Sequence, residues 1–171
     1  ISVNLSLRQP KQRDFISRVS AICNQHGVSP GSLELEITET TLMEDPVRTT
    51  RILTELHEMG LRLAIDDFGT GYSSLSALQQ FPIGTLKIDQ SFVRHATTSH
   101  DQATIVALII EMGHTLRLDV VAEGVETPGQ VAFLRQNGCD EIQGYIVSKP
   151  LPPDKVSGLF SPDRFIGSSS Q

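Results

Sequence analysis

No stretch of the chain approaches eighteen consecutive apolar residues, and the N-terminus carries neither the basic flank nor the apolar run of a secretory signal. A soluble segment is therefore expected. Cysteine is scarce: Cys23 and Cys139 stand far apart without a Cys-X-X-Cys spacing, which argues against a disulfide or zinc site and for reduced thiols in a cytoplasmic protein, either free or as the cytoplasmic part of a membrane-anchored parent. Positive charge is also short. Fourteen Lys and Arg against twenty Asp and Glu leave a net charge of −6 and a pI near 5.3, so no basic face displaces counterions from a DNA or RNA polymer. Any nucleotide ligand must be small, and divalent cations would have to stand between it and the protein's carboxylates. His26, His57, His95, His100 and His114 show no ligand spacing and avoid the expected strand ends, which makes them surface or helix residues. Neither a Ser-His-Asp nor a Cys-His pattern stands out, so covalent catalysis is not expected.

What is present suffices for a core. Of 171 residues, 39% are hydrophobic and 20% charged, the balance of one compact domain. Short aliphatic and β-branched segments recur, each followed by helical periodicity, which is the signature of βα units around a parallel sheet. Strands are expected at Ile1 to Leu5, Leu33 to Ile37, Leu61 to Asp66, Thr85 to Ile88, Asp119 to Ala122 and Glu141 to Tyr145. Between them, Asp45-Pro46 opens a helix whose stripe of Ile52, Leu53, Leu56 and Met59 stops at Gly60. Thr127, Pro128 and Gln130 supply a cap, a first-turn proline and a capping-box partner for a helix ending at Gly138. The run from Ala103 to Leu118 is more apolar and should be buried.

Polar residues collect where these strands end, the end at which a parallel barrel carries its active site. Asn4 closes the first strand, Glu36 and Glu39 the second, Asp66 and Asp67 the third, Lys87 and Asp89 the fourth, Glu123 the fifth and Gln143 the sixth. Strand alternation turns Glu34 and Glu36 away from Leu33, Leu35 and Ile37, toward a barrel interior, where Glu36 needs a lysine or a metal as partner. The alternative is a solvated edge strand. Adjacent Asp66 and Asp67 repel each other unless a hard cation neutralises them; otherwise they form a turn that caps the next helix. Gly69 and Gly71 give the following loop its freedom. Lys87, in Leu-Lys-Ile-Asp, either orients a water and stabilises phosphate charge or forms a structural ion pair. Glu123 and Glu126 read as a metal ligand and loop anchor, or as two acids of a surface loop.

Taken together, Asn4-Leu5-Ser6, Glu36-Ile37-Thr38-Glu39, Asp66-Asp67-Phe68-Gly69-Thr70-Gly71, Leu86-Lys87-Ile88-Asp89, Ala122-Glu123-Gly124-Val125-Glu126 and Gln143-Gly144-Tyr145 resemble the EAL domain family, in the family's order from Ile1 to about Pro152. The resemblance implies an α/β fold, a modified (β/α)8 TIM-type barrel, that hydrolyses cyclic di-GMP to linear pGpG with two Mg²⁺ or Mn²⁺ ions and is inhibited by Ca²⁺. It implies Asn4, Glu36 and Asp66 as ligands of one ion, with Asp66 bridging to a second held with Asp67. Glu123 would be a further ligand or a proton acceptor, Lys87 the contact of the attacking water, and Gln143 the support of that network. Glu39 would steady the Asp-Asp-Phe-Gly loop and link metal occupancy to dimerisation, while Ser6, Asp89, Tyr145 and Pro150 would bind substrate.

One departure stands out: the Glu-Ala-Leu tripeptide that names the family is absent. Residues 1–166 are accordingly expected to be an EAL domain lacking its first βα unit, with 167–171 as a flexible tail. Loss of a strand should expose two sheet edges and an apolar interior. A smaller departure, Ile146-Val147, touches at most the nucleobase pocket. The resemblance further implies a homodimer through the barrel helices and a parent carrying sensory or GGDEF domains. If the missing strand lacks its glutamate, the alternative is a receptor or interaction module that binds cyclic di-GMP without cleaving it; a carboxylate-acting metal enzyme on the same barrel is the reading without the family.

Overall fold

In the computed structural model of the chain, residues 1–5, 14–71 and 78–160 are described; Ser6 and the expected tail 167–171, with the boundary at residue 166, lie outside them. Six strands, β1 (Ser2–Asn4), β2 (Glu34–Thr38), β3 (Arg62–Phe68), β4 (Thr85–Ile88), β5 (Asp119–Ala122) and β6 (Glu141–Ile142), form one sheet in sequential order. All five pairings are parallel. Between strands run the helices α1 (Phe15–His26), α2 (Glu39–Glu44), α3 (Pro46–Glu58), α4 (Gln90–His95), α5 (His100–Thr115) and α6 (Pro128–Gln136), with the short α7 (Pro153–Val156) after β6. This is the curled βα arrangement of a TIM-type barrel. Among the described residues no helix is long and apolar enough to cross a membrane.

Local signals fix the helix ends. The Asp45 carboxylate accepts from the Arg48 amide at 3.1 Å and Pro46 occupies the first turn of α3, which Gly60 at φ 90° follows. Thr127 and Gln130 form the full capping box of α6. Helix α5 is shifted against expectation, from His100 to Thr115. It stops early because Arg117 turns left-handed at φ 62° and the Leu118 amide reaches back to the Gly113 carbonyl at 2.9 Å. Gly113 lets this helix lie directly on β5, since a Cβ there would stand 2.4 Å from Val120 Cγ2.

Register sorts the strand residues into two faces. Leu35, Ile37, Leu63, Ile65, Leu86, Ile88, Val120 and Ala122 are buried together with Leu53, Leu56, Val106, Ile110 and Leu134 of the helices. Each of the leucine, isoleucine and valine side chains contributes about 1.5–3 kcal/mol of burial. The opposite face carries Ser2, Asn4, Glu34, Glu36, Ala64, Asp66, Thr85 and Lys87. The expected apolar interior is thus overturned: the apolar core lies between sheet and helices, and the concave face is polar. Strand β6 is also shorter than expected, ending at Ile142, because the chain turns back so that the Ile146 amide bonds the Val125 carbonyl at 3.0 Å. Cys23 and Cys139 are free thiols, and burial pushes Cys139 up to about 11.

Candidate active site

The site starts from an irregularity in β3. Ile65 pairs with Leu86 and Phe68 with Ile88, so three residue steps on β3 face two on β4. The extra residue is Asp67, which takes the left-handed conformation at φ 53°. Strict alternation would send Asp66 and Asp67 to opposite faces; the bulge cancels that alternation. Aspartate tolerates the conformation better than most side chains because it bonds locally, and here the Asp67 amide donates to Asp66 Oδ1 at 3.0 Å. One ligand oxygen each from Asp66, Asp67 and Glu123 consequently fall within 4.8 Å of one another.

Lys87 stands at the centre of this cluster. Its ammonium is 2.5 Å from Glu36 Oε1, 3.6 Å from Asp66 Oδ1 and in direct contact with Glu123 Oε1, and its side chain is 4% exposed. Burial pulls the ammonium down, but hydrogen bonds to Glu123 and Glu36 outweigh it, so the lysine is held charged above its ordinary range. Glu123 is pushed up by burial, with Asp66 and Glu36 adding to that and Lys87 opposing it. Asp67 is pushed up by burial and then by the neighbouring carboxylates of Asp66 and Asp89, with Lys87 opposing them. Three carboxylates on one ammonium, with that of Asp67 beside them, leave negative charge that no cation among the described residues meets. A hard divalent ion with oxygen ligands fits that donor set.

The loop after β3 is held by Glu39, which begins α2 rather than ending β2. Buried to 2% exposure, its Oε2 accepts from the Gly69 amide at 2.9 Å and the Gly71 amide at 3.2 Å. Gly69 is required in place, at φ 98° with Phe92 2.8 Å from where its Cβ would be, and a Cβ at Gly71 would press on the Glu39 carboxylate at 3.0 Å. The sequence offered these glycines only as a turning loop.

The structure gathers some of the expected residues and separates others. Glu36, Asp66, Asp67, Lys87 and Glu123 converge. Asn4 lies beside Glu36 in register and is exposed. Asp89 follows β4 as the cap of α4, accepting from the Ser91 amide at 3.0 Å. Gln143 lies just past β6, exposed, with its amide on the Ala122 carbonyl at 2.8 Å and its own carbonyl accepting from Val125 at 3.1 Å. Tyr145 is 57% exposed with Lys149 Nζ 5.7 Å from its ring centre, and Pro150 is exposed further along. Missed in the sequence was Gln130 beyond its capping role: it is buried and bonded to three backbone groups.

Comparison with known proteins follows the same lines. Residues 1–150 match the EAL domain family. The bifunctional diguanylate cyclase/cyclic di-GMP phosphodiesterase MucR of Pseudomonas aeruginosa is 42% identical over 91% of the chain, which covers 23% of that protein. The solved cyclic di-GMP complex of the PaMucR phosphodiesterase superposes with a TM-score of 0.87 at 42% identity, covering 91% of this chain and 63% of that one. The manganese/cyclic di-GMP complex of Klebsiella pneumoniae BlrP1 gives a TM-score of 0.79 at 33% identity, covering 87% and 38%. The chain spans about a fifth of the length of the curated relatives it matches.

Proposed function

The chain belongs to the EAL domain family, and from that premise we propose that it hydrolyses cyclic di-GMP to linear pGpG at the acidic rim, with two divalent ions, Mg²⁺ or Mn²⁺. The observation that carries this reading is the meeting of the Asp66, Asp67 and Glu123 oxygens within 4.8 Å beside the buried ammonium of Lys87. Asn4, Glu36 and Asp66 would hold one ion, and Asp66, Asp67 and Glu123 the other. When bound, such ions supply Lewis-acid activation of water and neutralise phosphate charge, which is how an acidic protein accepts a dianion.

The chain's own groups do the rest. Lys87, locked in its charged form by Glu36 and Glu123, donates to the attacking water and opposes charge that develops on phosphate. Glu123 either completes the second ligand set or takes the proton that water gives up, a role suited to a carboxyl pushed up by burial. Glu39 keeps the loop of Gly69 and Gly71 closed against the rim and so links loop order to ion occupancy. Gln143 supports the water network from the turn after β6. Ser6, Asp89, Tyr145 and Pro150 bind substrate, with the exposed Tyr145 ring offering a surface on which a base can stack.

A homodimer through the barrel helices, a cytoplasmic setting and a parent with sensory or GGDEF domains belong to the same proposal. MucR, named for both cyclase and phosphodiesterase activities, supports the last. Incubating the protein with cyclic di-GMP and Mg²⁺ or Mn²⁺ and following pGpG by chromatography tests the reading. Turnover that EDTA stops and Ca²⁺ inhibits is expected. Binding of cyclic di-GMP without turnover under these conditions would replace hydrolysis by the receptor reading.

A further inference from the structure

Among the described residues Gln130 is the one buried side chain that ends in an amide, at 5% exposure, and it lies on α6 outside the acidic rim. Its Oε1 accepts from two successive backbone amides, Glu126 at 2.8 Å and Thr127 at 2.9 Å, and its Nε2 donates to the Val93 carbonyl of α4 at 3.3 Å. A capping box needs only the Thr127 contact. The bonds to Glu126 and Val93 do something further: they pin the segment that follows Glu123 against α4, the helix capped by Asp89. Gly124 presses on the same helix, since a Cβ there would meet Gln90 Cβ at 2.5 Å. On its other side the segment is bonded to the turn after β6 through Val125.

Only two residues separate Glu123 from the amide that Gln130 holds. Glu123, Asp66 and Glu36 repel one another, so the Glu123 carboxylate keeps its place only through Lys87 and a fixed backbone. We infer that Gln130 is a positioning residue for hydrolysis: it holds the Glu123 segment on α4 and so keeps the Glu123 carboxylate within reach of Asp66 and Asp67. Partners that orient a metal's ligands typically set affinity over a factor of about 10–100. The inference rests on the reading of Glu123 as part of the ion-binding set.

Thr127 provides the control, because its hydroxyl accepts from the Gln130 amide at 3.3 Å but takes no part in the bonds to Glu126 and Val93. Binding of Mn²⁺ alone is measured by electron paramagnetic resonance for the wild-type chain, Gln130→Met, Gln130→Glu and Thr127→Ala, with thermal melts and pGpG formation at saturating Mn²⁺ alongside. Gln130→Met should weaken Mn²⁺ binding about tenfold or more and lower kcat. Thr127→Ala should lower the melting temperature while leaving Mn²⁺ binding within about twofold of wild type. Gln130→Glu, which still accepts from both amides, should bind Mn²⁺ more tightly than Gln130→Met, and it stands in as the test against wild type if the methionine variant does not fold. Gln130 variants that melt lower yet bind Mn²⁺ as wild type would reduce the residue to a helix cap and overturn the inference. A wild-type chain that neither binds Mn²⁺ nor forms pGpG would instead overturn the hydrolytic reading itself.

Discussion

At the amino ends of the strands, Glu34 accepts from Ser2 and from Thr85 at 3.0 Å each, and Asp140 accepts from the Val120 amide at 2.8 Å while facing His114 at 2.9 Å. At the carboxyl ends of the same strands, Glu36, Asp66 and Glu123 share the single ammonium of Lys87 with Asp67 beside them, and burial pushes Asp67 and Glu123 up. One end matches its polar groups donor to acceptor; the other gathers more like charge than it neutralises. A fold gains nothing from the second arrangement, because buried carboxylates lose hydration and repel each other. The surplus charge fits a ligand that carries the opposite sign.

The largest break in that comparison is expected from Asp66→Ala. It should reduce pGpG formation by roughly three orders of magnitude or more, as loss of a shared metal ligand removes several kcal/mol of transition-state stabilisation. Thermal melts without metal should show no loss of stability, since one repelling charge is gone. Wild-type turnover in this variant would remove the rim from the mechanism.

Lys87→Met should lower kcat by about a hundredfold with little effect on KM. Unlike Asp66→Ala, it should also destabilise the metal-free protein by about 3 kcal/mol, because Glu36 and Glu123 are left buried without a cation. Denaturant titrations with and without Mn²⁺ measure this, with Mn²⁺ recovering part of the loss. An unchanged kcat would confine Lys87 to the ion pair.

At the amino end the order of effects reverses. Gly113→Ala forces a Cβ against Val120, and should cost about 1–3 kcal/mol in stability with kcat unchanged for the folded fraction.

The smallest effect belongs to Asp140→Asn. Burial alone would raise this carboxyl, but the Val120 amide and then His114 hold it below the usual aspartate range. Its contribution is therefore fully present above the ordinary aspartate value and fades as pH falls through that value toward the lowered one. Asp140→Asn should cost about 1 kcal/mol near neutral pH and flatten the acid side of the stability curve, measured by melts across pH. An acid limb identical to wild type would dissociate Asp140 from it.

Much of this is legible in the sequence. The capping box of Thr127 and Gln130, the stop at Gly60, and the placement of acids and lysine at successive strand ends follow from local rules acting over a few residues. Other features depend on partners distant in sequence. Asp89 reads as the end of β4 but caps α4, because the backbone leaves the strand at Ile88. Gly69 and Gly71 read as a turning loop, yet their role comes from Glu39, thirty residues earlier and bonded to their amides. Alternation already turned Glu34 and Glu36 toward the interior; the apolar interior was misjudged because it was inferred from the loss of a strand rather than from the faces of the strands present.

The sequence alone determined the parallel βα order, the family and the identity of the residues at the rim, since hydrophobic period, caps and motif spacing are properties of neighbours along the chain. Tertiary structure decided that Asp66 and Asp67 act on one side, through a bulge visible only against β4, and that Lys87 answers Glu36 and Glu123 together. It also decided that Gln130 serves the Glu123 segment as well as its own helix. Charge and hydrogen bonding act through space, so these contacts exist only once the sheet has brought distant segments within a few ångströms.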